Sequence, residues 1–176
     1  MPPLNVEIDT KRVSAALDAA PKKAGIALLR ALKRGTKAAG TQANRVVSKD
    51  MGIKVSDVRK RIRLEPPNAR TLTGSLHASL KRIPLIKFAA RSTRSGVTYR
   101  GKGGRSRRPH AFIATMPTGP GVFKRKEGAG RLPIRQLYGA SIGRVFDEHR
   151  KEIMARGEQQ VLAELDHQLD RIFGAR

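Results

Sequence analysis

The sequence predicts an α+β protein in which a small antiparallel sheet is flanked by a long N-terminal helix and a long C-terminal helix. Apolar residues recur every three or four positions from Pro21 to Val47 and again from about Ser141 to Phe173. The region between them alternates apolar and polar residues between Gly and Pro turns. Helices, then strands, then a helix is an order typical of an α+β domain. At 176 residues the chain has the size of one ordinary domain, so residues 1–176 are predicted to form a single domain.

The N-terminal part predicts two helices separated by Pro21. The segment Lys11–Ala19 has apolar residues at helical spacing, and Pro21 suits the first turn of the longer helix that follows. Gly35 and Gly40 lie inside that longer helix, and each weakens it by about 1 kcal/mol relative to Ala. The helix therefore depends on packing, and its small residues predict a close approach to a neighbouring backbone.

Two further helices are predicted from the middle and the end of the chain. The segment VSDVRKRIRL, which begins at Val55, predicts a short helix capped by Ser56 and then a strand near Ile62. The C-terminal pattern predicts one long helix from about Ser141 to Phe173, with a break at Gly157. The two long helices are expected to cover one side of the strands.

The middle of the chain predicts the strands. Residues 70–88 alternate apolar and polar side chains, as a half-buried strand does, with the apolar positions at Leu72, Leu76, Ala78 and Leu80. Three further strands are bounded by Gly and Pro turn signals: Gly96–Arg100, Ala111–Met116 and Gly121–Lys126. These segments are expected to form a small antiparallel sheet.

The charge of the chain is strongly positive and unevenly distributed. Lys and Arg number 37 against 14 Asp and Glu, which gives a formal net charge of +23. Between Pro66 and Lys126 there are 14 basic residues and no acidic residue, whereas acidic residues outnumber basic ones from Asp147 to the end. This balance implies a polyanionic or acidic partner.

The residue types that catalysis and metal binding need are missing or scattered. The chain has no Cys, and its four His residues lack metal-ligand spacing. The segment GVTYRGKG resembles a phosphate-binding loop, but Gly103 stands where a Ser or Thr would hold magnesium. No enzyme activity, no metal and no cofactor are therefore expected. The sequence also lacks the pattern of a signal peptide or a membrane span, so a cytosol-like compartment and no membrane partner are expected.

The basic tract from Arg91 to His110 predicts the main binding surface. It is expected to form a loop or hairpin tip with seven cations, and no acidic residue lies between them. These cations could displace counterions from a nucleic-acid backbone without reading its sequence, or they could simply keep a loop soluble, and the sequence leaves both open. The predicted DNA-facing residues are Arg91, Arg94, Arg100, Lys102, Arg105, Arg107 and Arg108.

A second candidate surface is an apolar elbow in RLPIRQLYGASIGRVFDEHR, which begins at Arg131. Pro and Gly permit a tight bend between the strands and the C-terminal helix, and apolar side chains anchor it. The anchor could rest on a neighbouring subunit or within the chain, and both alternatives remain open. The predicted elbow residues are Leu132, Pro133, Ile134, Leu137, Tyr138, Gly139 and Phe146.

The order of motifs around the elbow resembles the prophage minor tail protein Z family of tailed phages. A basic GVFKRKEG strand is followed by RLPIRQLYGASI and then by a charged amphipathic helix. The upstream segments GIKVSDVRKRIRL and LHASLKRIPLIKF are also similar to that family. The resemblance covers most of Gly52 to Phe146 and continues loosely into both long helices, and its most specific part is the LPIxxLYGxS pattern.

This resemblance implies a non-enzymatic tail completion protein at the head-proximal end of the tail, near the neck and the head–tail joint. It implies a homo-oligomeric ring, such as a hexamer, that surrounds or contacts genome DNA non-specifically. The implied partners are other copies of the chain and tail or neck proteins such as a terminator, tube or connector protein. The protein would be located in the virion, after assembly in the host cytoplasm. A basic nucleic-acid-binding protein outside the virion, ribosome-associated or nucleoid-like, is the alternative.

Overall fold

The computed structural model of the protein describes residues 21–101, 103–117, 119–126, 128 and 132–173. It confirms the α+β class, with a long helix near each end of the described chain. The helix predicted over Lys11–Ala19 lies outside the described residues. The helices are α1 (Pro21–Met51), α2 (Val55–Arg59), α3 (Ile142–Glu148) and α4 (Arg150–Phe173). None of these described helices combines the length and the apolarity needed to cross a membrane.

The strands are short and belong to small sheets. They are β1 (Ile62–Glu65), β2 (Ser75–Ala78), β3 (Arg82–Pro84), β4 (Arg91–Thr93), β5 (Gly96–Gly101), β6 (Gly104–Pro109), β7 (Ala111–Met116), β8 (Gly119–Arg125), β9 (Ile134–Gln136) and β10 (Tyr138–Ser141). In the described residues these strands form four sheets, which pair as β1-β2, β10-β3, β4-β5-β6 and β7-β8-β9. The three strands predicted from Gly96, Ala111 and Gly121 are thus confirmed as β5, β7 and β8.

The chain divides into two compact units, each made of separate segments. The first takes its described residues from Met1–Ala43, Ile62–His77 and His149–Arg176. The second takes its residues from Asn44–Arg61 and Ala78–Glu148. Helix α1 contributes to both units. That residues 1–176 behave as a single domain stays a prediction.

The core of the first unit lies between the small and aliphatic stripes of α1 and α4. A methyl group built on Gly35 would overlap Val161 Cγ2 and would lie 2.8 Å from the carbonyl oxygen of Gly157. The predicted close approach of α1 to a neighbouring backbone is therefore confirmed at Gly35. The buried cluster consists of Ala24, Ala31, Val161, Leu165 and Leu169, with Leu28 and Leu32 packed against it.

An ion pair between a buried carboxylate and an exposed arginine accompanies this helix packing. The carboxylate of Glu164 is only 4% exposed, and it contacts the guanidinium of Arg34 at 2.7 Å. The amide nitrogen of Gln168 donates a hydrogen bond to the same carboxylate at 2.7 Å. Because a buried carboxylate is costly without partners, the contact with Arg34 helps to fix α4 against α1, while Gln168 satisfies the carboxylate from within α4.

Two predicted helix boundaries are wrong. The C-terminal helix does not break at Gly157, which lies inside α4 because its missing side chain lets Ala39 approach. The break comes earlier, at His149, whose carbonyl oxygen accepts the amide hydrogen of Ile153. In α2, Ser56 is not the cap: the N-cap residue is Lys54, and it makes no side-chain cap hydrogen bond.

The single strand predicted over residues 70–88 is also wrong in its extent. Only β2 and β3 are strands there, and a 3₁₀ turn (Leu85–Lys87) follows. The Oδ1 atom of Asn68 accepts hydrogen bonds from the amides of Arg70 and Thr71, which holds a turn in place of a strand. Leu72 has a positive φ of 48° and Leu80 is 73% exposed, so neither packs as a strand residue.

The second unit packs its small sheets around aliphatic and aromatic side chains. In β7-β8-β9 the rings of Phe112 and Phe123 lie 6.2 Å apart, and β8 pairs antiparallel with both neighbours. The core is formed by Val47, Met51, Ile53, Val58, Ile83, Leu85, Phe88, Val97, Ala111, Val122, Phe123, Ile142, Val145 and Phe146.

Candidate nucleic-acid interface

Most of the positive charge belongs to the second unit. By sequence, that unit has 22 of the 37 basic residues but only 5 of the 14 acidic ones, a net charge of +17. The first unit has the remaining 15 basic and 9 acidic residues, a net charge of +6. A surface that binds a polyanion is therefore best sought in the second unit.

The sheet β4-β5-β6 contains most of the predicted DNA-facing residues, and its register divides them between two faces. Directly paired residues of an antiparallel sheet share a face, and successive residues alternate. Thr98 pairs with Arg91 and with Arg107, and Arg100 pairs with Arg105. One face therefore presents four guanidinium groups, from Arg91, Arg100, Arg105 and Arg107, and we call it the arginine face.

Short polar side chains position two of these guanidinium groups. Arg105 Nη2 donates a hydrogen bond to Thr98 Oγ1 at 3.1 Å, and Arg107 Nη1 donates one to Ser95 Oγ at 2.9 Å. Every residue of β6 is exposed to solvent. A guanidinium has five N–H donors, so each of these groups keeps donors for an anion such as a phosphate.

The remaining predicted residues of the tract do not share this face. Arg108 lies on the opposite face, where its guanidinium carbon is 5.9 Å from the centroid of the Tyr99 ring, a cation–π contact. Val97, on that same face, is completely buried. Arg94 lies in the turn between β4 and β5, and Lys102 lies outside the described residues. The structure thus brings together four of the seven cations.

Cations that the sequence analysis missed line a groove beside Arg100. The aliphatic part of Arg100 packs over Gly52, where an added methyl group would lie 2.5 Å from Arg100 Cδ. The groove has a volume of about 940 Å³ and includes Lys49, Lys54 and Lys87. Lys87 lies far in the sequence from Lys49 and Lys54, and no local motif marks the three lysines as one group.

The elbow is built on backbone hydrogen bonds within the second unit. The amide of Leu137 donates to the carbonyl oxygen of Val122 at 2.8 Å, and the carbonyl oxygen of Leu137 accepts from the amide of Leu85 at 2.9 Å. After Leu137 the chain forms β10 and then α3, so the elbow does lead from the strands into a helix. The carbonyl oxygen of Pro133 accepts the amide of Lys126 at 3.2 Å.

The predicted elbow residues differ in how accessible they are. Phe146 is 5% exposed and belongs to the core. Gly139 lies against the ring of Phe88: a methyl group added to Gly139 would lie 2.6 Å from carbon atoms of that ring. Ile134 is half-buried in β9. Leu132 and Tyr138, in contrast, are 70% and 46% exposed. An interface at the elbow would therefore use Leu132 and Tyr138, while the other residues hold the bend.

Replacing Tyr138 with Ala should leave the protein soluble and folded but should yield unproductive tails. Among the described residues, the Tyr138 hydroxyl donates to Gln136 Oε1 at 2.9 Å on an exposed surface, so the loss of stability should stay below about 1 kcal/mol. Thermal melting and phage titre measure the two effects. Tyr138→Phe, which keeps the ring, is the control, and a normal titre for Tyr138→Ala would argue for a bend without an interface.

A group of side chains able to hold a metal ion is not found among the described residues, where no three His, Asp or Glu converge. The arrangement instead offers exposed guanidinium and ammonium groups with few nearby acids. Such a surface can bind anions and partner proteins through charge and hydrogen bonds.

The fold and the arginine face define a small, basic α+β protein. The family model for prophage minor tail protein Z (GPZ) matches residues 15–173, so the chain belongs to the prophage minor tail protein Z family. The protein is therefore a structural component of a phage tail. A search of curated proteins and a search of solved structures each found no match.

Proposed function

We propose that the protein is a tail completion protein that forms a homo-oligomeric ring at the head-proximal end of the tail, near the head–tail joint. The arginine face contacts the genome DNA that passes through this region or ends there. The single observation that carries this proposal is the placement of Arg91, Arg100, Arg105 and Arg107 on one sheet face, in a stretch of sequence with no acidic residue. No enzymatic step is part of this role.

Charge supports both the DNA contact and its lack of sequence specificity. Copies with a net charge of +23 repel one another, and a polyanion in the lumen of a ring would offset this repulsion. Arginines on a short exposed sheet suit phosphate oxygens, whose contacts position a protein without reading bases. The further partners in this proposal are tail and neck proteins such as a terminator, tube or connector protein.

The alternative is a basic nucleic-acid-binding protein that acts outside the virion. It would show the same charge and the same salt-dependent binding. Membership of a phage tail family favours the virion instead. The two roles differ in where the chain is found in a lysate.

Electron microscopy of intact particles tests the position and the ring directly. We expect density for this chain as a closed ring at the head-proximal end of the tail, with the arginine face toward the lumen. Particles assembled without the chain, supplied by an amber mutant, provide the control for assigning the density. A location at the tail tip, or absence from particles, would overturn the proposal.

Removing three charges from the arginine face should weaken binding to duplex DNA by about a hundredfold at low salt. Each lost phosphate contact lowers the slope of log affinity against log salt by about 0.9, so Arg91→Gln, Arg105→Gln and Arg107→Gln together should lower it by nearly 3. Fluorescence anisotropy with labelled duplex at several salt concentrations measures this.

The matched control removes three exposed arginines of the same unit that belong to elements outside the sheet β4-β5-β6, namely Arg59, Arg82 and Arg144. It changes the net charge by the same amount, so it should lose much less affinity. Equal slopes for the two triple variants would show that total charge, and not the arginine face, binds DNA.

A further inference from the structure

The groove beside Arg100 combines an apolar floor with a cationic rim. Its volume is about 940 Å³, and its floor includes Ile53, Pro84, Ile86 and Pro120. Among the described residues that line it, Asp57 is the one acid, and it pairs with Lys87 at 3.2 Å. The other cations of the rim are Lys49, Lys54 and Arg100.

This composition fits an extended peptide better than a nucleic acid. None of the described residues that line the groove is aromatic, so they offer bases no ring on which to stack. Apolar side chains on the floor contribute nothing to a phosphodiester, which prefers polar surroundings. A strand whose side chains alternate between apolar and acidic would satisfy both the floor and the rim, because successive residues of a strand point to opposite sides.

The chain itself contains such a segment at Leu4–Asp9, which lies outside the described residues. In LNVEID, the apolar residues Leu4, Val6 and Ile8 alternate with Asn5, Glu7 and Asp9. Six extended residues span about 20 Å, and a groove of this size accommodates several side chains. We call this segment the N-terminal arm.

We infer that the N-terminal arm of one copy occupies the groove of a neighbouring copy, with its apolar side chains on the floor and its two carboxylates at Lys49 and Lys54. This inference rests on the proposed ring. An arm and a groove are two different surfaces, so the contact is head-to-tail, which is the kind that closes into a ring. It also brings opposite charges together between copies that otherwise repel one another.

Charge reversal with rescue tests the pairing. The arm variant combines Glu7→Lys with Asp9→Lys, and the groove variant combines Lys49→Glu with Lys54→Glu. We expect each to weaken self-association of the full chain at least about tenfold, measured by sedimentation velocity at fixed salt. The two pairs combined should restore it, because the attraction returns with the charges exchanged.

The control is Lys33→Glu with Lys37→Glu, two exposed lysines of α1 that do not line the groove. Combined with the arm variant, it has the same net charge as the rescued protein, yet it should not restore association. Equal rescue by both combinations would show that net charge alone matters and would overturn the inference. Circular dichroism of the groove variant checks that it folds.

Two other results also decide the matter. If the full chain associates equally well with and without the arm reversal, the arm contact is overturned and the proposed ring stands. If the full chain stays monomeric, both proposals are overturned. A groove variant that associates normally but loses more duplex affinity than the Lys33 and Lys37 control would assign the groove to nucleic acid instead.

Discussion

Replacing Gly35 with Ala should lower the free energy of unfolding of the protein by about 2 kcal/mol, although Ala is the better helix former. The intrinsic gain in a helix is about 1 kcal/mol. Against it, the new methyl group would overlap Val161 Cγ2 and press on the backbone oxygen of Gly157. Val161 is completely buried and stiff at its branched carbon, so it cannot move aside without opening the core.

The same substitution at Gly25, in the same helix, is the matched control. No described atom lies within 4 Å of a methyl group at Gly25, so Gly25→Ala should raise stability by up to about 1 kcal/mol. Urea denaturation followed by circular dichroism gives both values, and hydrogen exchange should place the loss in α1 and α4. Val161→Ala should recover part of the loss when it is combined with Gly35→Ala. Equal effects at the two glycines would refute the close helix contact.

Replacing Gly96 with Ala should disrupt the sheet that displays the arginine face and should cost about 3 kcal/mol or more. Gly96 has a φ of +141°, where a side chain is strained. An added methyl group would also overlap the carbonyl oxygen of Arg108 and lie 3.0 Å from the Cα atom of Pro109. Since these are backbone atoms of the paired strand β6, relief requires β5 and β6 to separate at that end.

The control for this change is Gly103→Ala at the tip of the same hairpin. Gly103 also has a positive φ, of +83°, but no described atom lies within 4 Å of an added methyl group. It should therefore cost only about 1 kcal/mol, the strain of the backbone alone. Neither variant changes the net charge, so a loss of duplex affinity confined to Gly96→Ala would show that DNA binding depends on the arrangement of the arginines. Retained affinity in a disrupted sheet would contradict that dependence.

The elements that could be predicted from the sequence are those with local signals. The apolar stripe of helix α1 repeats over many turns, so the existence of this helix was predictable. Strands β7 and β8 were predictable because turn residues bound them. The family resemblance, carried by short motifs around the elbow, extended this to the structural role in a phage tail.

The features that could not be predicted depend on contacts between distant residues. Gly157 is indistinguishable in sequence from a helix breaker, yet its role is to let α1 approach. The alternation at Leu72 and Leu80 imitates a strand, and only the hydrogen bonds of Asn68 reveal a turn. Local patterns carry no information about such partners.

The candidate site was predictable in composition but not in arrangement. The sequence identified seven cations as one loop, and the register of the hairpin was needed to separate Arg108 from the arginine face. Gly101 pairs with Gly104 across the hairpin turn, and pairing outward from these two glycines places Arg100 opposite Arg105. The groove lysines Lys49, Lys54 and Lys87 meet only through tertiary structure.

Strand β6 also bears on how copies of the chain avoid the wrong contacts. Among the described strands it pairs only with β5, so it is an edge strand, and its outer backbone groups pair with no other described strand. If the β6 strands of two copies paired edge to edge, Arg105, Arg107 and Arg108 of one copy would lie beside those of the other. Pro109 also lacks an amide hydrogen, so it cannot donate a hydrogen bond to a sheet shared by two copies. Charge repulsion between these arginines disfavours edge-to-edge pairing, which could otherwise add copies to a sheet without limit. Newly made protein can still associate through other surfaces, into assemblies of limited size, before it is built into a tail.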